Sequence, residues 1–196
     1  MTRRILVVCT ANVCRSPIVQ RLLERGLEHS VDPDGESWEV SSAGTTPVEA
    51  EVDQATIDAG SRAGLAITGH TRTLLESSLL TQLHPDLVLT MTREHLRAVV
   101  AVDPALWPRT FTLKELARKA QAGIGSSATS FDEWRAAMSS GRRAAEMIMP
   151  DAADDVDDPY GGPRRGYDDM IAETAAAVGA ILKFGPWRAP RRPSGP

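Results

Sequence analysis

Ile5-Leu6-Val7-Val8-Cys9-Thr10-Ala11-Asn12-Val13-Cys14-Arg15-Ser16-Pro17 is the stretch whose reading decides the fold. The apolar run before Cys9 has no polar alternation, which is the pattern of a strand covered on both faces. Beyond Pro17, the residues Ile18, Val19, Leu22, Leu23 and Leu27 recur at helical spacing. Strand, loop and helix therefore follow directly on one another. Ser16 is expected to cap the helix and Pro17 to be its first residue. That arrangement turns loop N–H groups and the positive end of the helix dipole toward one point, where a phosphate or another oxyanion binds.

Two side chains add chemistry to such a cradle. A cysteine attacks as its thiolate, and Cys9 would sit where loop amides, a helix end and the Arg15 guanidinium all favour negative charge. Arg15 presents parallel donors that match phosphate oxygens in a way lysine does not. The Ser16 hydroxyl is near enough in sequence to donate to the Cys9 sulfur when that sulfur departs.

The string from Cys9 to Pro17 resembles the phosphate loop of the low-molecular-weight protein tyrosine phosphatases, bacterial type. The resemblance implies catalysis by Cys9, Arg15 and an aspartate through a phosphocysteine intermediate, with neither metal nor other cofactor. Phosphate binding then falls to Thr10, Ala11, Asn12, Val13, Cys14 and Ser16, although Ala11 stands where the family usually has glycine. Ser41-Ser42-Ala43-Gly44-Thr45 is similar to a segment whose serine steadies the phosphate loop, a role for Ser42. Leu65-Ala66-Ile67-Thr68-Gly69-His70 is similar to the link whose histidine supports the loop asparagine, here His70 on Asn12. Asn tolerates the left-handed backbone implied there.

Asp158-Pro159-Tyr160 resembles the family's acid loop, which makes Asp158 the general acid. A phenolate has a pKa of about 10, so its departure at neutral pH needs a proton. Pro159 biases Asp158 toward extended backbone, and the acidic residues around it favour, by like-charge repulsion, a carboxyl that starts protonated. Tyr160 and Val13 are expected to line the slot for the substrate's ring. Many relatives wall that slot with an aromatic where this chain has Pro47-Val48-Glu49-Ala50-Glu51. Cys14 matches the family's second loop cysteine, which can trap the nucleophile as a disulfide; packing as a small hydrophobe is the alternative reading.

The implied substrate is a phosphorylated protein or peptide and the product inorganic phosphate. Val13 is branched and apolar, as in tyrosine-directed members, whereas arginine-directed members carry threonine there. A protein arginine phosphatase and an arsenate reductase using an external small thiol are the alternatives. A reductase with its own disulfide relay needs later cysteines, and none follows Cys14. A non-catalytic module that binds phosphoproteins would have no use for Cys9, Arg15 and Asp158 together.

The remaining sequence is consistent with one α/β domain: a doubly wound, four-stranded parallel sheet with helices on both faces and the phosphate loop after strand one. The 196 residues are 42% hydrophobic, and the formal charge of −4 offers nucleic acid no electrostatic partner. No apolar stretch approaches membrane length, so no membrane insertion and a cytoplasmic location are expected. The two cysteines lie too close together to staple a secreted fold. Oligomeric state is left open. Further strands are expected at 38–42, 86–91 and 107–113, with His95 facing solvent on the helix that Thr92 opens. Residues 1–185 should form the phosphatase domain, with 122–150 as an insertion atypical of the family and 186–196 as a flexible basic, Pro-rich tail. Within 122–150, Phe131, Trp134 and Met138 lie at helical spacing and either pack on the core or reach the rim of the active site.

Overall fold

The structure, a computed structural model, describes residues 2–49 and 51–187. Its elements in chain order are β1 (Thr2–Cys9), α1 (Arg15–Leu27), β2 (Ser37–Gly44), α2 (Gln54–Arg62), α3 (Ser77–Leu83), β3 (Leu87–Thr90), α4 (Arg93–Val102), β4 (Thr110–Thr112), α5 (Leu113–Gln121), α6 (Phe131–Ser139) and α7 (Arg164–Phe184). The strands form one parallel sheet in the order β2-β1-β3-β4. The chain leaves β1 toward β2 on one side and returns to β3 on the other, so the strand order reverses beside the carboxyl end of β1. A crevice opens at such a switch point, and Cys9 ends the strand that borders it.

Alternation along β1 explains the uniform apolarity of its residues 5–9. Ile5, Val7 and Cys9 face a core shared with α1, α5, α7 and part of α2. Leu6 and Val8 face a smaller core with Leu80 of α3 and Val99 of α4. Both faces are therefore dry from Ile5 onward, and each residue of that part of the strand needs an apolar side chain.

Three expectations change in the structure, and one open reading is resolved. The first helix begins at Arg15, with Cys14 at the cap position and no side-chain cap; Ser16 is buried and its hydroxyl is engaged elsewhere. The fourth strand is shorter than expected, because Trp107, Pro108 and Arg109 belong to a 3₁₀ turn spanning Pro104–Arg109. Pro108 has no N–H to give a sheet ladder, and short proline-bearing turns suit 3₁₀ geometry. Of the two readings of the apolar stripe in 122–150, core packing is the one found: Phe131, Trp134 and Met138 are buried. Phe131 lies 5.3 Å from Trp38, and the Arg3 guanidinium stands 5.1 Å over its ring. Arg3 and Trp38 sit at the amino ends of β1 and β2, the opposite end of the sheet from Cys9. Trp187, expected in the flexible tail, joins the same cluster at 4.4 Å from Trp38; residues 188–196 of that tail lie outside the described residues. Among the described residues, no helix is long and apolar enough to cross a membrane.

Candidate active site

The loop after β1 is held by a directional chain of hydrogen bonds. Glu24 accepts from Gln20 Nε2 at 2.8 Å, which turns Gln20 Oε1 toward the Ser42 hydroxyl, 2.6 Å away. Ser42 spends its proton there and accepts from Asn12 Nδ2 at 2.8 Å. The same amide nitrogen donates to Ser16 Oγ at 2.9 Å. Ser16 therefore keeps its own proton for the Cys9 sulfur, 3.0 Å away. Ser42, Asn12, Ser16 and Cys9 are thus brought together as the sequence suggested, and Gln20 is a member it did not reveal.

The loop backbone is tied down as well. Asn12 is left-handed, with φ 57°, and its carbonyl accepts from His70 Nε2 at 3.2 Å. Burial keeps His70 below the usual histidine pKa, so it remains a neutral donor. Asn12 Oδ1 accepts the Thr73 N–H at 2.9 Å. Arg72, not singled out from the sequence, donates to the Ala11 carbonyl at 2.7 Å and to that of Thr46 at 2.8 Å. Gly44 lets β2 come close: a Cβ there would stand 2.7 Å from Ala11 C, 2.8 Å from Thr10 O and 2.9 Å from Asn12 N. Its signal in the sequence was the small-residue string Ala43-Gly44, which gave no hint of what the glycine faces.

Arg15 is buried at 4% exposure. One end of its guanidinium donates to the Val156 carbonyl at 3.2 Å; Nη2 donates to Thr10 Oγ1 at 2.8 Å and to Asp158 Oδ2 at 2.5 Å. Its Nε is buried with no hydrogen-bond partner. A buried cationic donor without an acceptor is costly unless a ligand supplies one.

His95 corrects the sequence reading, since it is only 4% exposed. Its Nε2 hydrogen-bonds Thr10 Oγ1 and its Nδ1 hydrogen-bonds Thr92 Oγ1, both at 2.9 Å. Burial first, and the nearby Arg15 charge second, push its pKa down to about 3. Neutral His95 and Thr10 therefore brace Arg15 from behind. The signal was available in the spacing Thr92-x-x-His95, which places the ring over the helix cap, but nothing in the sequence showed that this helix end abuts the phosphate loop.

The segment bearing Asp158 is fastened across the sheet end. Val156 N–H donates to the Met91 carbonyl at 2.8 Å. Arg93, at the start of α4, reaches Asp154 at 2.6 Å and Asp151 at 2.8 Å, and its backbone N–H donates to Asp155 at 2.7 Å. Lys114 adds a bond to the Asp155 carbonyl at 2.9 Å. The acidic crowding expected around Asp158 is therefore mostly drawn away, and the charge in contact with its carboxylate is that of Arg15. Asp158, Tyr160, Val13 and Val48 line a cavity of about 250 Å³ together with Cys9, Thr10, Ala11, Cys14 and Arg15. Val48 occupies the wall where an aromatic was missing from the sequence. Cys14 is a free, buried thiol whose pKa is pushed up to about 12, mainly by burial. Among the described residues, no group of three or more His, Cys, Asp or Glu side chains is arranged to hold a metal ion.

The sequence profile of the low molecular weight phosphotyrosine protein phosphatase family matches residues 4–125, the segment that carries the phosphate loop and its supports. The chain belongs to that family. Among curated relatives of this phosphatase family, Etp of Escherichia coli K12, a low molecular weight protein-tyrosine-phosphatase, is 35% identical over 107 residues, 54% of this chain and 66% of Etp. Wzb of Salmonella typhi, of the same description, is 34% identical over 54% of this chain and 65% of its own. The chain thus spans just under two thirds of the length of these two relatives. The crystal structure of the tyrosine phosphatase Wzb from Escherichia coli K30, in complex with sulphate, is similar at a TM-score of 0.63 and 25% identity, covering 93% of this chain and 98% of that one. Asp158 lies beyond the residues the family profile matches.

Proposed function

We propose that this chain is a cysteine-dependent phosphomonoesterase that hydrolyses phosphotyrosine in proteins or peptides and releases inorganic phosphate. The observation that carries the reading is the meeting of Cys9, Arg15 and Asp158 in one cavity, with the buried Arg15 Nε lacking an acceptor. An incoming phosphate supplies that acceptor and displaces Asp158 from Nη2, which frees the carboxyl to turn to the leaving oxygen.

Two steps follow from these positions. In the first, the Cys9 thiolate forms an S–P bond as the P–O bond to the substrate breaks; Arg15 and the N–H groups of residues 10–16 hold the equatorial oxygens, and Asp158 gives its proton to the departing phenolate. In the second, the Asp158 carboxylate takes a proton from water, the hydroxide oxygen bonds to phosphorus, and the S–P bond breaks. The Ser16 hydroxyl donates to the sulfur that carries the returning negative charge. Ser42 and His70 act through Asn12. Val13 and Tyr160 flank the aromatic ring, and the apolar Val13 favours phosphotyrosine over phosphoarginine. The catalytic unit runs through residue 185, with 122–150 as an insertion that supports the amino end of the sheet, a reading consistent with a family match that ends at 125.

The test is Cys9→Ser, which removes p-nitrophenyl phosphate turnover and keeps phosphate binding by calorimetry. Appreciable residual turnover rules out covalent catalysis through Cys9. Turnover of phosphotyrosine, phosphoarginine and arsenate on the intact protein then ranks the substrate classes.

A further inference from the structure

The loop carrying Asp158 ends in a tight turn, Pro159-Tyr160-Gly161-Gly162, in which the Gly162 N–H donates to the Pro159 carbonyl at 2.9 Å. Gly161 is left-handed there, with φ 72°, as the third position of such a turn allows for glycine. The turn also grips the acid: the Tyr160 N–H donates to Asp158 Oδ1 at 3.3 Å, which leaves Oδ2 directed to Arg15. Tyr160 is 55% exposed, so its place at the cavity wall depends on the backbone that bears it.

That backbone is held from below by Tyr167, in the first turn of α7, which is 1% exposed. The Tyr167 hydroxyl accepts the Gly161 N–H at 3.1 Å and donates to Asp53 Oδ2 at 2.6 Å. Asp53 in turn caps α2, its other oxygen accepting the Thr56 N–H at 2.9 Å. Two segments distant in sequence meet at one oxygen atom: the cap of α2, and the run of chain from the acid loop into α7. Burial first, and the Asp53 hydrogen bond second, push the phenol's pKa up to about 12, so it stays a donor at neutral pH. The aromatic ring alone would fill the same space. The hydroxyl is needed only for the two hydrogen bonds.

We infer that Tyr167 is a positioning residue for the reaction: its hydroxyl, fixed by Asp53, sets the Pro159–Gly162 turn that aims the Asp158 carboxyl. The inference rests on the reading of Asp158 as general acid. Tyr167→Phe keeps the buried ring and deletes both bonds, so the loop's aim loosens while the core stays filled. A misaimed acid slows departure of a leaving group that needs a proton and spares one that does not.

The experiment compares kcat/KM for phenyl phosphate, a poor leaving group, with that for 2,4-dinitrophenyl phosphate, whose phenolate departs unprotonated. Tyr167→Phe should lower the first by about 5- to 20-fold, a fraction of what a general acid supplies, and leave the second within about twofold. Asp53→Asn keeps the cap through its one amide oxygen but turns Nδ2, a donor, toward the Tyr167 hydroxyl; it deletes the Tyr167–Asp53 bond while leaving the Gly161 bond, and should act in the same direction more weakly. In an Asp158→Asn background, Tyr167→Phe should add no further discrimination between the two substrates. Equal losses on both substrates, or no loss on either while Asp158→Asn discriminates strongly, overturn the positioning role. If Asp158→Asn itself does not discriminate, the acid assignment fails and this inference fails with it. Should Tyr167→Phe not fold, Asp53→Asn decides by the same two criteria.

Discussion

Replacing Gly44 by alanine tests how closely the end of β2 is fitted to the phosphate loop. The new Cβ would stand 2.7, 2.8 and 2.9 Å from backbone atoms of Ala11, Thr10 and Asn12, where ordinary contact begins at 3.4 Å. All three are main-chain atoms, so no flexible side chain can yield; the loop or the strand must move by about 0.5–0.7 Å. The strand is not free to retreat. Gly44 N–H donates to the Thr73 carbonyl at 2.8 Å, and its carbonyl accepts from Leu75 N–H at 2.8 Å. The loop therefore shifts, and with it the N–H groups that must meet the phosphate oxygens. Productive sites tolerate about 0.5 Å, and a displacement near 1 Å costs about 10²-fold in rate. Gly44→Ala should accordingly lower kcat/KM for p-nitrophenyl phosphate by about 10- to 100-fold. Overpacking of this kind costs about 1–3 kcal/mol of stability, readable as a fall in Tm of several degrees. Gly179→Ala serves as the control, because a Cβ there meets nothing within 4 Å and sits inside α7, where alanine suits the helix better than glycine. Gly44→Ala retaining more than half of the wild-type kcat/KM would refute the claim that this glycine shapes the loop.

Three further outcomes are expected. His95 is held at a pKa of about 3 against 6.5 in a free chain, so the unfolded state binds the extra proton between those values: stability is fully present above pH 6.5 and is lost as pH falls toward 3, by a few kcal/mol at most. Urea titrations from pH 7 to 4 should show a flatter profile for His95→Gln than for wild type, and parallel profiles would remove His95 as the source. Asp158→Ala should lower kcat/KM for poor leaving groups by about 10²–10⁴; if Asp157→Ala does so instead, the acid is the neighbouring residue. Val13→Thr should shift the ratio of phosphotyrosine to phosphoarginine turnover toward phosphoarginine, and an unchanged ratio would show that the slot is read elsewhere.

Local order along the chain was legible because it is encoded in local chemistry. The apolar run ending at Cys9, the loop and the helical spacing from Ile18 are neighbours in sequence, and the structure keeps them so. Asp158 was singled out for a similar reason, since proline and an aromatic follow it directly, and its carboxylate lies against Arg15 in the cavity that Cys9 lines. Misreadings fall where a residue's environment comes from another segment. His95 looked solvent-facing on its own helix, yet that helix start abuts the phosphate loop. Ser16 had the chemistry of a cap, but Asn12 and Cys9 engage its hydroxyl before the helix can. Arg72, Gln20 and Gly44 carry no motif of their own, and their importance lies wholly in which backbone atoms they face.

By itself, then, the amino-acid order determined that a buried strand delivers a cysteine and an arginine to the loop that leads into the first helix, because hydrophobic period, turn chemistry and residue type act over a few positions. Only the tertiary structure decided which distant groups brace that loop, that the Asp158 carboxylate rests against Arg15, and that Phe131, Trp134 and Trp187 fill the far end of the sheet. Hydrogen bonds and packing contacts of that kind join residues far apart in the chain. Their partners are chosen by the closing of the whole fold, which no local pattern specifies.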